Sequence, residues 1–388
     1  MRDARDLIST IFTKSIGLLS SFGLVVLSTH LLGAEGRGYV TLTITDAALL
    51  AIFSNILSGS SSMYYLNKFG ESKVIITAIV WILFVSFLGT ALLTIIHPTN
   101  FWLVFSLSVV LSFNSLVYNQ LFANQRILKG NLLAISVQAA FFLVLFIVWL
   151  FNFSLDWVTY FEIQLVIWSI ITLIFIKPLK IELLNLNEFR AVFIFGFRNE
   201  LSYMFQFISY RFSYFIIYYQ LGIESLGVFG VMIIIAESIW VISRSFSSVS
   251  FAKQLVDEGE NDSVHRTNQY TRLTFFLSAI ALLLLLVIPE YWFLVIFSSE
   301  FSGLKSILIV VAPGILAVAA STVIGHYFAA KNRQWVLIFK SFLGLILTCI
   351  LSPIFISLYG IWGAALAMCF SYLASSFVLF FMYYRRVF

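Results

Sequence analysis

Charge is what this chain has least of: 11% of its 388 residues are Asp, Glu, Lys or Arg, against 61% hydrophobic. So few polar side chains cannot cover the two or three soluble domains that this length would otherwise allow, and a water-soluble fold is excluded. Disorder is excluded by the same imbalance. Cysteine is nearly absent. Cys349 and Cys369 both fall in apolar runs, which leaves no disulfide framework or metal cluster and reads them as small buried side chains. His30, His97, His265 and His326 lack ligand spacing. Paired carboxylates, a glycine-rich phosphate loop and a nucleophile motif are missing too, so neither a metal site nor catalysis is expected. The net charge of +5 does not point to nucleic acid, because in a chain this apolar basic residues report orientation first.

What is present is long apolar runs. Crossing ~30 Å of hydrocarbon takes about 20 apolar residues, and twelve segments qualify. The first six are residues 8–32, 39–66, 74–96, 101–123, 132–151 and 157–176. The second six are 192–220, 226–251, 273–297, 305–329, 335–357 and 361–384. The runs are continuous rather than alternating and about twice the length of a barrel strand, so they are helices. With the N-terminus inside, the inner connections hold sixteen Lys and Arg, from Arg2 and Arg5 to Arg385 and Arg386, and the outer ones hold two, Arg37 and Lys305. That bias places both termini in the cytoplasm. The first run is span-length without a small-residue cleavage site, so it reads as a retained anchor. Connections are short. The longest are both inner, 177–191 and 252–272, and the first mixes Leu179, Ile181, Leu183, Leu184, Leu186 and Phe189 with charges, as an interfacial segment joining two halves does.

Those halves repeat. Displaced by 189 positions, residues 32–71 align with 221–260 without a gap and agree at twelve of forty, where about 3 are expected by chance. The matches include Gly33 with Gly222, Ala47 with Ala236, and Ser54, Ser58 and Ser61 with Ser243, Ser247 and Ser250. Six spans per half is an even number, so the repeats share one orientation and are related by an axis along the membrane normal. The expected architecture is therefore an all-α membrane protein. Its twelve transmembrane helices form two parallel six-helix lobes around a central cavity, with an N-terminal lobe 1–176, a cytoplasmic interfacial linker 177–191 and a C-terminal lobe 192–388.

Leu32-Gly33-Ala34-Glu35-Gly36-Arg37-Gly38-Tyr39 resembles the Leu-Gly-x-x-x-x-Gly-x-Tyr signature of polysaccharide biosynthesis proteins. Leu221 to Phe229 is similar to that family's start of span eight, and Tyr359-Gly360-Ile361-Trp362-Gly363-Ala364-Ala365-Leu366-Ala367 to its opening of span twelve. With the span count, the chain resembles the Wzx-type O-antigen and capsule repeat-unit flippases of the multidrug/oligosaccharidyl-lipid/polysaccharide (MOP) exporter superfamily. The resemblance implies a substrate, an undecaprenyl-pyrophosphate-linked oligosaccharide moved from the inner to the outer leaflet of the bacterial cytoplasmic membrane by alternating access. It also implies a place in lipopolysaccharide, O-antigen or capsule assembly beside a polysaccharide polymerase and a chain-length regulator, and no enzyme cofactor. An ion-coupled multidrug extruder of the same superfamily is the first alternative. A membrane polysaccharide polymerase or lipid-linked glycosyltransferase is the alternative from another class, disfavoured by the short outer connections.

An ionisable group deep in a span costs ~2.5 to 3.5 kcal/mol on insertion scales, so those retained normally face a cavity or a partner. The candidates are Lys14, Asp46, Glu162, Arg198, Glu200, Arg211, Glu237, Arg244 and Lys340. Arg211 lies ~15 Å from the outer end of its span, on the face carrying Glu200, Phe207, Tyr214 and Tyr218, but ~16 Å from Glu200. Glu237, Trp240 and Arg244 form a second strip at i, i+3 and i+7. Arginine forks suit a pyrophosphate and aromatic faces suit a glycan. The expected substrate-binding set is thus Arg211 and Arg244 for pyrophosphate, Arg198, Lys14 and Lys340 as inner-leaflet recruiters, and Tyr214, Tyr218 and Trp240 for sugar. Structural ion pairing, or snorkelling of Lys14, Arg198 and Lys340, is the plain alternative. Asp46, Glu162, Glu200 and Glu237 are candidates for coupling to a proton or sodium gradient, although Asp46 aligns with Ile235 and Glu237 with Ala48, so no symmetric relay is expected. Pro313-Gly314 is the candidate hinge, with Gly17, Gly23 and Gly196 as further points of give.

Overall fold

The computed structural model describes residues 2–176, 178–254 and 260–387; within these, the side chains of residues 2–15, 18, 252, 253, 260, 261, 386 and 387 are left undescribed. All regular structure among the described residues is helical. Two compact units, Met1–Met204 and Phe205–Phe388, divide the chain.

In the first unit α1 (Arg2–Ser58) is followed by α2 (Ser60–Phe69), α3 (Glu71–Ile96), α4 (Phe101–Ala123), α5 (Ile127–Leu150), α6 (Trp157–Ile174) and the start of α7 (Leu186–Leu221). Among the described residues ten stretches are long and apolar enough to cross a membrane, so the chain is a multi-pass membrane protein. One of them, Leu19–Phe69, has 51 residues, about 76 Å of helix and far more than one bilayer. It breaks at Gly33, where φ is 64° and ψ −171°, a conformation that a Cβ opposes, and Leu27, Val40 and Ala47 from the two sides of the break share one core with Leu107 and Phe141. That stretch therefore holds two passes. With the 36-residue α7, the passes reach the twelve expected from the sequence.

Three boundaries differ from the sequence reading. The glycine-rich stretch 32–39 is not a loop, because Gly33 alone leaves helical geometry. The ninth pass does not run from 273 to 297: α9 spans Glu260–Val287, and Pro289 then caps the separate short helix α10 (Glu290–Phe297), since proline ends one helix readily and opens the next. The polar residues 260–272, read as connection, are helix. Finally, α7 begins inside the 177–191 segment. Asn185 N donates to Glu188 Oε2 and Glu188 N to Asn185 Oδ1, both at 2.9 Å, a reciprocal box that satisfies two orphan donors of the first turn. The extended part before it is anchored to α3, with Lys180 N on Ser72 Oγ and Leu184 N on Thr77 Oγ1.

Within the first unit, α7 lies close against α1. A Cβ at Gly196 would run into the Ile56 carbonyl, so this glycine permits close approach rather than loosening the helix. A Gly196→Val variant is expected to lose most of its folded yield, measured as the monodisperse fraction of detergent-solubilised protein.

The second unit is built on α11 (Leu304–Ala330), which packs against α8 (Ile223–Gln254), α9 and α13 (Ile361–Val387), while α12 (Gln334–Tyr359) lies mainly on α13. Hydroxyl groups knit these helices: Ser209 meets Thr348 at 3.3 Å, Ser213 meets Ser352 at 2.8 Å, Thr348 donates to Ser371 at 2.8 Å, and Ser321 meets Ser376 at 3.1 Å. In hydrocarbon such interhelical bonds contribute on average about 0.6 kcal/mol each. The repeat is visible in conformation as well as sequence. Gly33 and Gly222 both take positive φ, 64° and 89°, and the matched serines Ser54, Ser58, Ser61, Ser243, Ser247 and Ser250 are all buried.

Candidate functional site

In the second unit α7 and α8 bring together residues 26 apart in sequence. Arg211 Nη2 lies 2.8 Å from Glu237 Oε1, with the two side chains 20% and 25% exposed, and Arg211 Nη1 donates to Tyr214 Oη at 2.6 Å. The pair is thus half-sheltered but reachable. Helical register explains it. Tyr214 sits one turn beyond Arg211 and turns its ring under the guanidinium, 5.0 Å from centroid to Cζ, a cation–π contact, while its other edge meets Phe229 of α8 at 5.9 Å. Beside this lies an aromatic wall, Tyr210 with Trp240 at 5.5 Å, Tyr210 with Tyr372 at 4.8 Å, and Trp240 with Tyr372 at 5.7 Å. Trp240 Nε1 donates to the Ile315 carbonyl at 3.1 Å and Gln206 donates to Tyr210 Oη at 2.9 Å. These bonds fix the side chains of Trp240 and Tyr210.

The other residues expected at the site are distributed as follows. Arg244 is exposed on α8, with no carboxylate within ion-pair distance among the described residues. Tyr214 and Trp240 are buried and Tyr218 half-buried, its ring against Tyr219. Lys340 is 9% exposed and heads the buried α12 face of Gly344, Thr348 and Ser352. Arg198 is exposed and Glu200 half-buried on the α7 segment belonging to the first unit, Glu200 near Gly59. Glu162 is exposed on α6. The side chain of Lys14 lies outside the described residues. Pro313 is accommodated inside an unbroken α11, and Gly314 is where α11 meets α13, since a Cβ there would sit 3.1 Å from Cys369 Cα.

Asp46 is fully buried in the first unit with its Oδ1 3.2 Å from His97 Nε2, both side chains 0% exposed. No local pattern points to this pairing, because 51 residues separate the two and His97 follows the last turn of α3. Tyr210 and Tyr372 were also missed. Aromatic residues are common throughout this chain, and only the packing of α7 on α13 distinguishes these two. Among the described residues no cluster of His, Cys, Asp and Glu could hold a metal ion.

No protein-family model matches the chain, and no curated protein sequence matches it. Solved structures do. The lipid II flippase MurJ in an inward closed conformation aligns with a TM-score of 0.78 at 16% identity, covering 98% of this chain and 87% of that one. An inward-facing multidrug resistance MATE family transporter of the MOP superfamily aligns at 0.74 and 12%, covering 97% and 98%. A MOP superfamily transporter from Pyrococcus furiosus, described as having a binding pocket of reverse polarity that suggests a different function, aligns at 0.60 and 12%, covering 98% and 94%. These neighbours are transporters rather than enzymes. Likeness over nearly the whole length at such low identity establishes architecture: the chain has the fold of MOP superfamily transporters.

Proposed function

We propose that the chain is a flippase that carries an undecaprenyl-pyrophosphate-linked oligosaccharide from the inner to the outer leaflet of the bacterial cytoplasmic membrane, both termini cytoplasmic, by alternating access between lobes 1–176 and 192–388 joined by the 177–191 segment. The observation that carries this reading is the half-buried Arg211, braced by Glu237 and Tyr214, with the exposed Arg244 two turns beyond Glu237 on α8. A guanidinium has five N–H donors. Two of them are taken here, which leaves others for a diphosphate oxygen. Glu237 would then compete with the phosphate for Arg211. Tyr214 and Trp240 serve as the wall behind the cations and Tyr218 as a face for sugar. Lys340, Arg198 and Lys14 attract the headgroup, and Pro313-Gly314 supplies the bend. The resemblance of the 32–39 and 359–367 motifs supports a polysaccharide precursor.

In cells, the double variant Arg211→Ala, Arg244→Ala is expected to lose surface glycan at least about tenfold while inserting normally, because each charge-assisted contact contributes about 1.5 to 3 kcal/mol. Normal glycan from that variant would sink the assignment. The MATE likeness keeps an ion-coupled drug extruder as a second reading. It would show as drug resistance lost on deletion with surface polysaccharide intact.

A further inference from the structure

We infer that the end of α9 assigned to the cytoplasm by the Lys and Arg count carries a binding site for the phosphodiester headgroup of an anionic glycerophospholipid. His265, Asn268, Gln269 and Arg272 line a groove of about 490 Å³ that is completed by Leu273 and Phe276. Its donors are a guanidinium fork, which matches a phosphate's paired oxygens, an imidazole and two amides. Tyr383 Oη donates to Asn268 Oδ1 at 3.2 Å, so the carboxamide oxygen is occupied and its NH2 group stays available. No carboxylate lines the groove among the described residues.

The helix is two-faced. Ser263, Thr267, Thr274 and Ser278 are fully buried against the rest of the unit, which turns the His265–Arg272 face away from the packing. Beyond Arg272 that face becomes an exposed apolar stripe, Phe276 at 62%, Ile280 at 53%, Leu284 at 65% and Val287 at 77%. From His265 to Arg272 is about 10 Å of helix and from Leu273 to Val287 about 21 Å. The first length suits a headgroup layer and the second suits acyl chains lying on hydrocarbon-facing side chains. A soluble anion would have no use for the stripe, which is why the occupant is a lipid. The site stands apart from the Arg211 cluster and does not depend on the cargo.

The test uses the purified full chain in detergent. Binding is measured by native mass spectrometry with dioctanoyl phosphatidylglycerol, dioctanoyl phosphatidylcholine, inorganic phosphate and a short polyprenyl pyrophosphate as competitor. Phosphatidylglycerol is expected to bind about tenfold more tightly than phosphatidylcholine, and Arg272→Gln and Gln269→Leu are each expected to weaken it by about tenfold and threefold respectively. Both positions are exposed, so folding is preserved, and the exposed Lys129→Gln in the other unit should change nothing. Equal affinity for the two lipids, unchanged binding in Arg272→Gln, or inorganic phosphate binding as well as phosphatidylglycerol would each overturn the site. Displacement of phosphatidylglycerol by an equimolar amount of the pyrophosphate would overturn it too, by giving the groove to the cargo.

Discussion

Exchanging the two charges of the central pair, Arg211→Glu with Glu237→Arg, is expected to restore a stable protein that does not transport, whereas either reversal alone should fail on both counts. Each single reversal sets like charges at the place where opposite charges now lie 2.8 Å apart. At ~4 Å and an effective dielectric of about 20 that is roughly 4 kcal/mol of repulsion, somewhat less where water reaches the groups. The double reversal regains the attraction, so thermal stability should return to within about 1 kcal/mol of the parent. Transport separates structure from function. A pair that only ties α7 to α8 works equally well in either order, while a cation needed for a diphosphate has to stand where Arg211 stands, one turn before Tyr214 and over its ring. Recovery of surface glycan along with stability would make the pair a structural clasp.

In the first unit the largest loss is expected from Asp46→Leu. Asp46 and His97 are completely buried, and removing one member of a buried pair costs about 3 to 5 kcal/mol because the burial of the other is no longer offset by the opposite charge. Asp46→Asn keeps an oxygen for His97 and should retain most of the stability in a thermal denaturation series. We hypothesise that Asp46, a buried carboxylate whose Oδ2 has no hydrogen-bond partner among the described residues, also takes up the coupling proton. The asparagine variant would then remain folded and still carry cargo while its rate no longer responds to collapse of the proton gradient in proteoliposomes. Retained sensitivity to the gradient in Asp46→Asn would remove Asp46 from any coupling role.

Apolar run length and the 189-residue repeat were enough to read the passes and the doubled plan, because hydrocarbon thickness constrains helices directly. Boundaries were less legible where local signals conflict with the bilayer. Gly33, Gly36 and Gly38 look like a loop, yet only Gly33 departs from helix. The polar stretch 260–272 looks like a connection because hydropathy does not register a helix that continues past the membrane surface. At the site, composition singled out Arg211 and Glu237 separately. Their contact depends on how α7 lies on α8, a tertiary register that spacing along one helix cannot reveal. The capping box at Asn185 and Glu188 was readable as Asn-x-x-Glu, and it marks the start of α7 more sharply than charge composition did.

The central claim is that arginines of α7 and α8 receive a diphosphate headgroup. Its most direct measurement compares, in proteoliposomes containing the purified chain, the rates at which a fluorescent oligosaccharide crosses the bilayer on a polyprenyl pyrophosphate and on a polyprenyl monophosphate, for the parent protein and for Arg211→Gln. The pyrophosphate carrier is expected to cross at least about tenfold faster than the monophosphate in the parent, and Arg211→Gln should abolish that preference. Equal rates for both carriers, or a preference that survives in Arg211→Gln, would contradict it.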